Sequence, residues 1–308
     1  STVVMDDVFD AQVIAAYGRH ALVRDAAGAV REARPAGRKL DYVCGDRVTC
    51  RNDAAHDEVH MIAVQPRSTA LLRSTVRGGG ELVVANLTLL AAVVAPAPAP
   101  DLFIVDRYLA AAASGSVQGV IVINKMDMPG SAELSAALEP YRRIGYEVFE
   151  CSAQQPSSLD ALSERLRAHT SVLVGQSGVG KSSLAAQLVP GSEIAVGGLA
   201  RDDEGRHTTT ASRLYDLPGG GALIDSPGVR DFAPAIGALE SQSLGFIEVE
   251  RLAPGCRFQD CRHMREPGCA VMAAVDRGDF DARRYESYRR LRRLFEDLTE
   301  ARGPARRN

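Results

Sequence analysis

Lysine is almost missing from this 308-residue chain: Lys39, Lys125 and Lys181 stand against 33 arginines, so the place of each lysine carries information. Cysteine is scarce as well, and six in this length are too few for a disulfide scaffold. Long apolar runs are missing too. The longest, Leu82 to Ala95, falls short of the ~20 residues of a membrane-spanning helix and is interrupted by Asn86 and Thr88. Neither sign of charge dominates, since 36 Lys+Arg face 39 Asp+Glu for a net charge of -3. That excludes a chain that binds nucleic acid over its whole surface, and leaves room only for a local basic face. Asp6, Asp7 and Asp10 lie where a secretory signal would be basic and then apolar, so a soluble, cytoplasmic protein without a membrane segment is expected. With 45% hydrophobic and 24% charged residues, wholesale disorder and fibrous architecture are excluded. The length suits two or three domains at roughly 150 residues or fewer apiece.

Residues 1 to about 66 read as short apolar runs broken by turn residues. Ala21–Val23, Tyr42–Cys44, Arg47–Cys50 and Val59–Val64 are candidate strands, and the pattern fits a small β-barrel. From about 67 to 238 the texture is α/β. Leu82–Ala85, Val120–Ile123, Glu147–Phe149, Ser171–Val174 and Leu223-Ile224 are strand-like. Leu102–Ala113, Ala132–Ile144, Leu159–His169 and Ser182–Leu188 are helical between them, as in a mainly parallel sheet. Ala95 to Pro100 is a stiff extended loop, and 197–221 reads as a mobile loop. From 239 a Cys/His cluster precedes an arginine-rich amphipathic helix over 281–301, and no internal repeat is visible.

Gly175, Gln176, Ser177, Gly178, Val179, Gly180, Lys181 and Ser182 spell G-x-x-x-x-G-K-S between an apolar strand and a helix, with Ser183 next. Glycines let such a loop wrap its amides around phosphate oxygens at a helix N-terminus. Lys181 is placed to reach the β- and γ-phosphates, and the Ser182 hydroxyl to ligate Mg²⁺. Asp225 ends a strand and opens Asp225-Ser-Pro-Gly228. Its carboxylate suits the Mg²⁺ shell, and the Gly228 amide suits the γ-phosphate. Asn124, Lys125, Met126 and Asp127 form N-K-x-D at another strand end. A carboxylate there pairs with guanine N1–H and the 2-amino group, which adenine does not offer. Ser152 and Ala153, after a further strand, supply an amide for guanine O6. Cys256, Cys261, His263 and Cys269 set four ligands within fourteen residues, the donor set of a closed tetrahedral zinc site. Cys44, Cys50 and Cys151 read as core or site walls.

The base-reading motifs precede the phosphate loop, the reverse of the ordinary GTPase order. In this the chain resembles the circularly permuted GTPases, and within them the ribosome small-subunit-dependent RsgA (YjeQ) family. The resemblance rests on these motifs together with Asp106-Arg-Tyr-Leu, Gly205-Arg-His-Thr-Thr-Thr210, Asp225-Ser-Pro-Gly-Val-Arg-Asp-Phe232 and the Cys/His cluster. It implies an RNA-binding OB-fold over 1–66, a permuted GTPase domain over 67–238 and a zinc-binding helical domain over 239–308. It implies GTP and GDP as ligands, the 30S subunit and 16S rRNA as partners through the outer domains, and a monomer. Val229 stands where switch II of conventional GTPases carries a water-orienting Gln. The resemblance makes His207 the candidate for that task and Thr209, with Thr208 and Thr210 beside it, the switch I ligand of Mg²⁺. The C-terminal domain follows Asp225-Ser-Pro-Gly228 directly, so movement of that segment is expected to tilt it. An ATP-using kinase and a structural zinc RNA-binding protein are the competing readings. Asn124 and Asp127 speak against the first, and Lys181, Ser182 and Asp225 against the second.

Overall fold

A computed structural model of the chain describes residues 8–37, 40–53, 56–75, 79–192, 212–230 and 232–301. Five strands, β1 (Val8–Ala16), β2 (Ala21–Asp25), β3 (Val30–Pro35), β4 (Arg47–Asp53) and β5 (Glu58–Val64), run in the order β1-β2-β3-β5-β4. β4 returns to β1 with Val8 opposite Arg51 and Gln12 opposite Arg47, which closes the barrel. Alternation sets its inside: Ala11, Val13 and Ala15 point inward on β1. They are joined by Ala21, Val23, Ala33, Val48, Cys50 and Met61, mostly small side chains that fill a narrow barrel. Tyr42–Cys44 is not a strand. The buried Asp46 accepts from the Val43 amide at 2.9 Å and from Arg67 at 2.7 and 2.9 Å, which bends the backbone into a turn.

Two strands, β6 (Ala70–Ser74) and β7 (Gly80–Ala85), form a separate antiparallel pair. Leu82–Ala85 therefore belongs to this hairpin and not to the main sheet. The sheet strand is the next one, β8 (Leu89–Val94), with all six residues buried. One apolar run, broken only by Asn86 and Thr88, holds both strands, and Asn86, at φ 57°, marks the corner between them. A strand buried on both faces has no period-2 signature to separate it from its neighbour.

Around β8 lie β9 (Gln118–Ile123), β10 (Val148–Glu150), β11 (Thr170–Val174) and β13 (Ala222–Asp225), all parallel, in the order β10-β9-β8-β11-β13. Helices α1 (Leu102–Ser114), α2 (Ser131–Ala137), α3 (Glu139–Ile144), α4 (Asp160–Leu166) and α5 (Lys181–Leu188) connect them. The single helix expected over 132–144 is two, because Pro140 begins a new one at the second position of α3. β12 (Ser212–Asp216) falls inside the stretch read as a loop. It pairs antiparallel with β13, Leu214 opposite Ile224, and with β1, Ala15 opposite Arg213. Barrel and α/β sheet are thereby one continuous 11-stranded sheet. Beyond the short α6 (Pro227–Arg230) lie α7 (Ile247–Leu252), α8 (Ala270–Arg277) and α9 (Ala282–Ala301). Their core of Phe246, Val271, Phe280, Tyr288 and Leu291 includes Ala110 of α1, so the helical lobe packs directly on the α/β layer. Among the described residues no helix is long and apolar enough to cross a membrane.

Candidate nucleotide site and metal centre

In a parallel sheet every strand delivers its following loop to the same edge, where ligands bind. Here β9 leads into Asn124, β10 into Cys151 and β11 into Gly175, and β13 ends at Asp225, so motifs far apart in sequence meet there. Asn124 is buried and joins two of them. Its Nδ2 donates to Val179 O at 2.9 Å, and its Oδ1 accepts from the Ala153 amide at 3.1 Å. Lys125, at φ 60°, donates from Nζ to Gly178 O at 2.6 Å and to Ala97 O at 2.9 Å. The Met126 amide donates to Cys151 O at 3.1 Å. Asp127 is exposed, and the Ser152 hydroxyl donates to its Oδ1, which fixes the carboxylate at the rim.

The phosphate loop needs its glycines for room as well as for conformation. Gly180 has φ 92°, and a Cβ there would overlap the Asn124 amide nitrogen. Ser177 and Gly178 face outward, while Val179 is anchored in the core with Leu184. Gln176 Oε1 accepts from the Asp101 amide at 3.1 Å. Lys181 is largely buried, with Nζ held by Gly175 O at 2.7 Å and Gln176 O at 2.8 Å, so its charge lies over the loop. The first turn of α5 carries no acidic residue and no side-chain cap, which leaves its amides and positive dipole end to an anion. Lys181, Ser182, Asp225 and Ser226 line one small cavity. A hydroxyl beside a carboxylate is an all-oxygen donor set that fits Mg²⁺. Ser183 is half-buried behind Ser182, and Gly228 lies one turn beyond Asp225. His207, Thr208, Thr209 and Thr210 lie outside the described residues.

Sequence reasoning missed the part played by the proline-rich loop. Ala97 O takes Lys125, Asp101 steadies Gln176, and a Cβ on Gly178 would lie 3.5 Å from Pro98. Its signal was position, directly after a sheet strand at the ligand edge. Cys151 is the buried wall expected of it, its thiol pushed up to about 11 by burial; the same effect takes Cys50 to about 11 and Cys44 to about 12.

In the helical lobe the ligand atoms of Cys256, Cys261, His263 and Cys269 all lie within 4.8 Å of one another. Cys256 and Cys269 Sγ are 4.0 Å apart, and each is 3.5 Å from His263 Nδ1. A tetrahedron with bonds of about 2.3 Å to sulfur has edges of roughly 3.8 Å, so the set fits zinc. Amides of Ala270 and Met272 point at the Cys256 and Cys269 sulfurs from 3.3 and 3.4 Å. Burial pushes Cys261 up to about 12, so the neighbouring thiols need a cation to ionise together.

The arginines of α9 are not one exposed basic face. Arg284 is buried, bonded to Glu248 at 2.5 and 2.8 Å and to Asp106 at 2.6 Å. Arg292 is buried against Tyr288, Ser241 O and Gln242 O. Arg283 bonds Asp106 at 2.8 Å and Tyr141 at 2.9 Å. Half of this charge is spent inside, where periodicity alone does not distinguish a buried ion pair from a solvated face.

A family model described as the RsgA GTPase matches residues 64–234. The chain belongs to the RsgA GTPase family. The small ribosomal subunit biogenesis GTPase RsgA of Chromohalobacter salexigens is 46% identical over 254 residues, covering 81% of this chain and 74% of that protein. Its Pseudomonas aeruginosa namesake is 41% identical over 285 residues, 91% of this chain and 84% of that one. The crystal structure of YjeQ from Thermotoga maritima superposes with a TM-score of 0.74 at 26% identity over 98% of this chain and 100% of that chain. YloQ, a circularly permuted GTPase, has the same fold, with a TM-score of 0.73 at 23% identity and 99% of both chains covered. An RsgA-family chain is a GTP hydrolase and binds its nucleotide with Mg²⁺.

Proposed function

We propose that this chain binds the 30S subunit with GTP during late small-subunit maturation, hydrolyses GTP with stimulation by the particle, and leaves with GDP. Asn124 carries the reading. It ties the loop at Ala153 to the loop at Val179, which supports guanine and triphosphate being held side by side despite their permuted order. Asp127 reads the base, and the Ala153 amide would reach guanine O6 by sharing or giving up its bond to Asn124 Oδ1. Residues 175–183 cradle the phosphates, Lys181 offsets charge on the β- and γ-oxygens, and the Gly228 amide meets the γ-phosphate. Ser182, Thr209 and Asp225 would hold Mg²⁺, which supplies charge neutralisation across the β- and γ-phosphates when bound. Attack by water releases GDP and phosphate. Val229 is buried and apolar, so the water is oriented by another group, and His207 has that role.

Division at 66/67 and 238/239 gives an OB-fold, the permuted GTPase domain and a zinc domain whose metal is structural, in a cytoplasmic monomer. The outer two meet 16S rRNA. The test is the GTPase rate with and without 30S subunits, with ATP as the control nucleotide. Strong stimulation specific to GTP is expected, and equal rates with and without subunits would overturn the ribosomal reading. His207→Ala keeps GTP affinity and loses turnover; unchanged turnover removes the residue from the mechanism.

A further inference from the structure

The hairpin β6–β7 belongs to neither the barrel nor the main sheet, yet it grips the chain just after the D-x-P-G segment and approaches Gly228 itself. Downstream of that segment, the Ser74 amide donates to Ala233 O at 2.8 Å, Ser74 Oγ to Pro234 O at 2.9 Å, and the Ala235 amide to Leu72 O at 3.0 Å. At the segment itself, Arg73 Nη1 lies 3.5 Å from where a Cβ on Gly228 would be, and Val83 Cγ1 lies 3.0 Å from the same point. The guanidinium is not loose. Its Nε and Nη2 both meet Glu81 Oε2 at 2.8 Å, which turns the remaining nitrogen towards Gly228. Arg73 and Glu81 line one cleft with Ser226, Pro227 and Gly228, a cavity of about 350 Å³ between barrel and hairpin.

Within the segment the buried Ser226 hydroxyl lies 3.5 Å from the same point, while Gly228 has no side chain and Val229 points into the core. A cation reaching the turn from outside the segment adds a second restraint, although the Arg73–Glu81 pair that aims it is 42% and 52% exposed. We infer that Arg73, aimed by Glu81, is a positioning residue for hydrolysis: it holds the Gly228 peptide so that its N–H faces the γ-phosphate. This rests on the nucleotide reading above and adds a residue outside every nucleotide motif.

A contact that serves only the γ-phosphate has a signature that general damage lacks. Arg73→Ala should lower kcat and the affinity for a non-hydrolysable GTP analogue by about tenfold each, and leave GDP affinity within twofold. Arg73→Lys should not rescue, since an ammonium cannot bond Glu81 side-on and still face Gly228. Glu81→Gln, which leaves the arginine in place, should lower kcat by a smaller factor with GDP affinity kept, and it carries the test if Arg73→Ala does not fold. Unchanged kcat and an unchanged analogue-to-GDP ratio in both variants would overturn the inference. So would parallel losses of GDP and analogue affinity, which mark a structural role. Failure of the wild-type chain to hydrolyse GTP would instead strike the proposed function.

Discussion

Replacing Arg284 by alanine tests what fastens the helical lobe to the α/β layer. Arg284 on α9 is 1% exposed and meets two carboxylates, Asp106 of α1, also 1% exposed, and Glu248 of α7, 5% exposed. Its guanidinium also lies 4.8 Å from the Tyr141 ring centre and 5.2 Å from that of Phe246. Removal leaves two buried carboxylates with one cation, Arg283, itself 38% exposed. Breaking a buried pair by deleting one partner costs roughly 3–5 kcal/mol, because the stranded charge cannot regain water. At roughly 2–4 °C per kcal/mol for a body of this size, the melting temperature should fall by about 6–20 °C. Arg277 is the control. Its pair with Asp279 is 60% exposed on both sides, so Arg277→Ala should cost no more than about 1 kcal/mol. Calorimetry with GDP absent reads both. The triple replacement Asp106→Leu, Glu248→Leu, Arg284→Met removes the stranded charges and should recover at least half of the loss. If Arg284→Ala melts with Arg277→Ala, the network does not hold the lobe and the reasoning fails.

Asn124→Ala strips the bond to Val179 O and leaves the buried Ala153 amide unpaired, at roughly 1–3 kcal/mol. GTP and GDP affinity should therefore fall together by about 10- to 100-fold in calorimetric titration, with circular dichroism unchanged. Strong chelation should release one equivalent of zinc per chain and uncover the helical lobe to protease, and readdition of zinc should reverse it. Unprotected lobe backbone in the untreated protein would contradict this. Burial raises the Glu240 carboxyl, but bonds from the Gln242 and Ser243 amides and the Ser243 hydroxyl outweigh it and hold the pKa below 4.5. Its contribution is present above pH 4.5 and lost as pH falls through the folded value, so Glu240→Gln should flatten the acid limb of the stability curve.

The site was legible because its chemistry restricts residue type. A loop that wraps phosphate needs Gly175 and Gly180, and a guanine-reading carboxylate needs Asp127 at a strand end. Two of three lysines sit in these motifs. The Cys256, Cys261, His263 and Cys269 cluster was legible from spacing. Strands were harder where burial erased the pattern, as across Leu82–Val94, and β12 was hidden because it is short and mostly polar and one of its partners, β1, is remote in sequence. Long-range pairing is set by tertiary context, not by local propensity. Arg73 was beyond reach for the same reason: a lone arginine in a hairpin says nothing until Gly228 is seen beside it.

The permuted order alone does not connect the nucleotide to the outer lobes; the wiring lies in two places. Asp106, Arg107 and Tyr108 occupy one turn of α1. Asp106 holds Arg283 and Arg284 of the helical lobe, Arg107 donates to Pro234 O at 2.8 Å, and Tyr108 stacks on Phe232 with ring centres 5.6 Å apart. The chain leaving Gly228 and the lobe it leads into are thus pinned to the same turn. A shift of the D-x-P-G segment that reached the lobe would move these contacts, together with those of β6–β7 at Ala233–Ala235, so α1 is placed to carry it. At the other end, β12 runs from beside Ser226, through the Ser212 hydroxyl at 2.7 Å, into the barrel strand β1. One segment that would meet the γ-phosphate is therefore wired to the helical lobe, and the strand after Thr208–Thr210 is wired to the barrel. Ordering backbone costs roughly 1–2 kcal/mol per residue, and a particle that held both lobes at once would supply that ordering through both connections. On this reasoning the proposed stimulation by the 30S subunit should require both lobes engaged together, and GTPase assays with either lobe alone added in trans should show none of it.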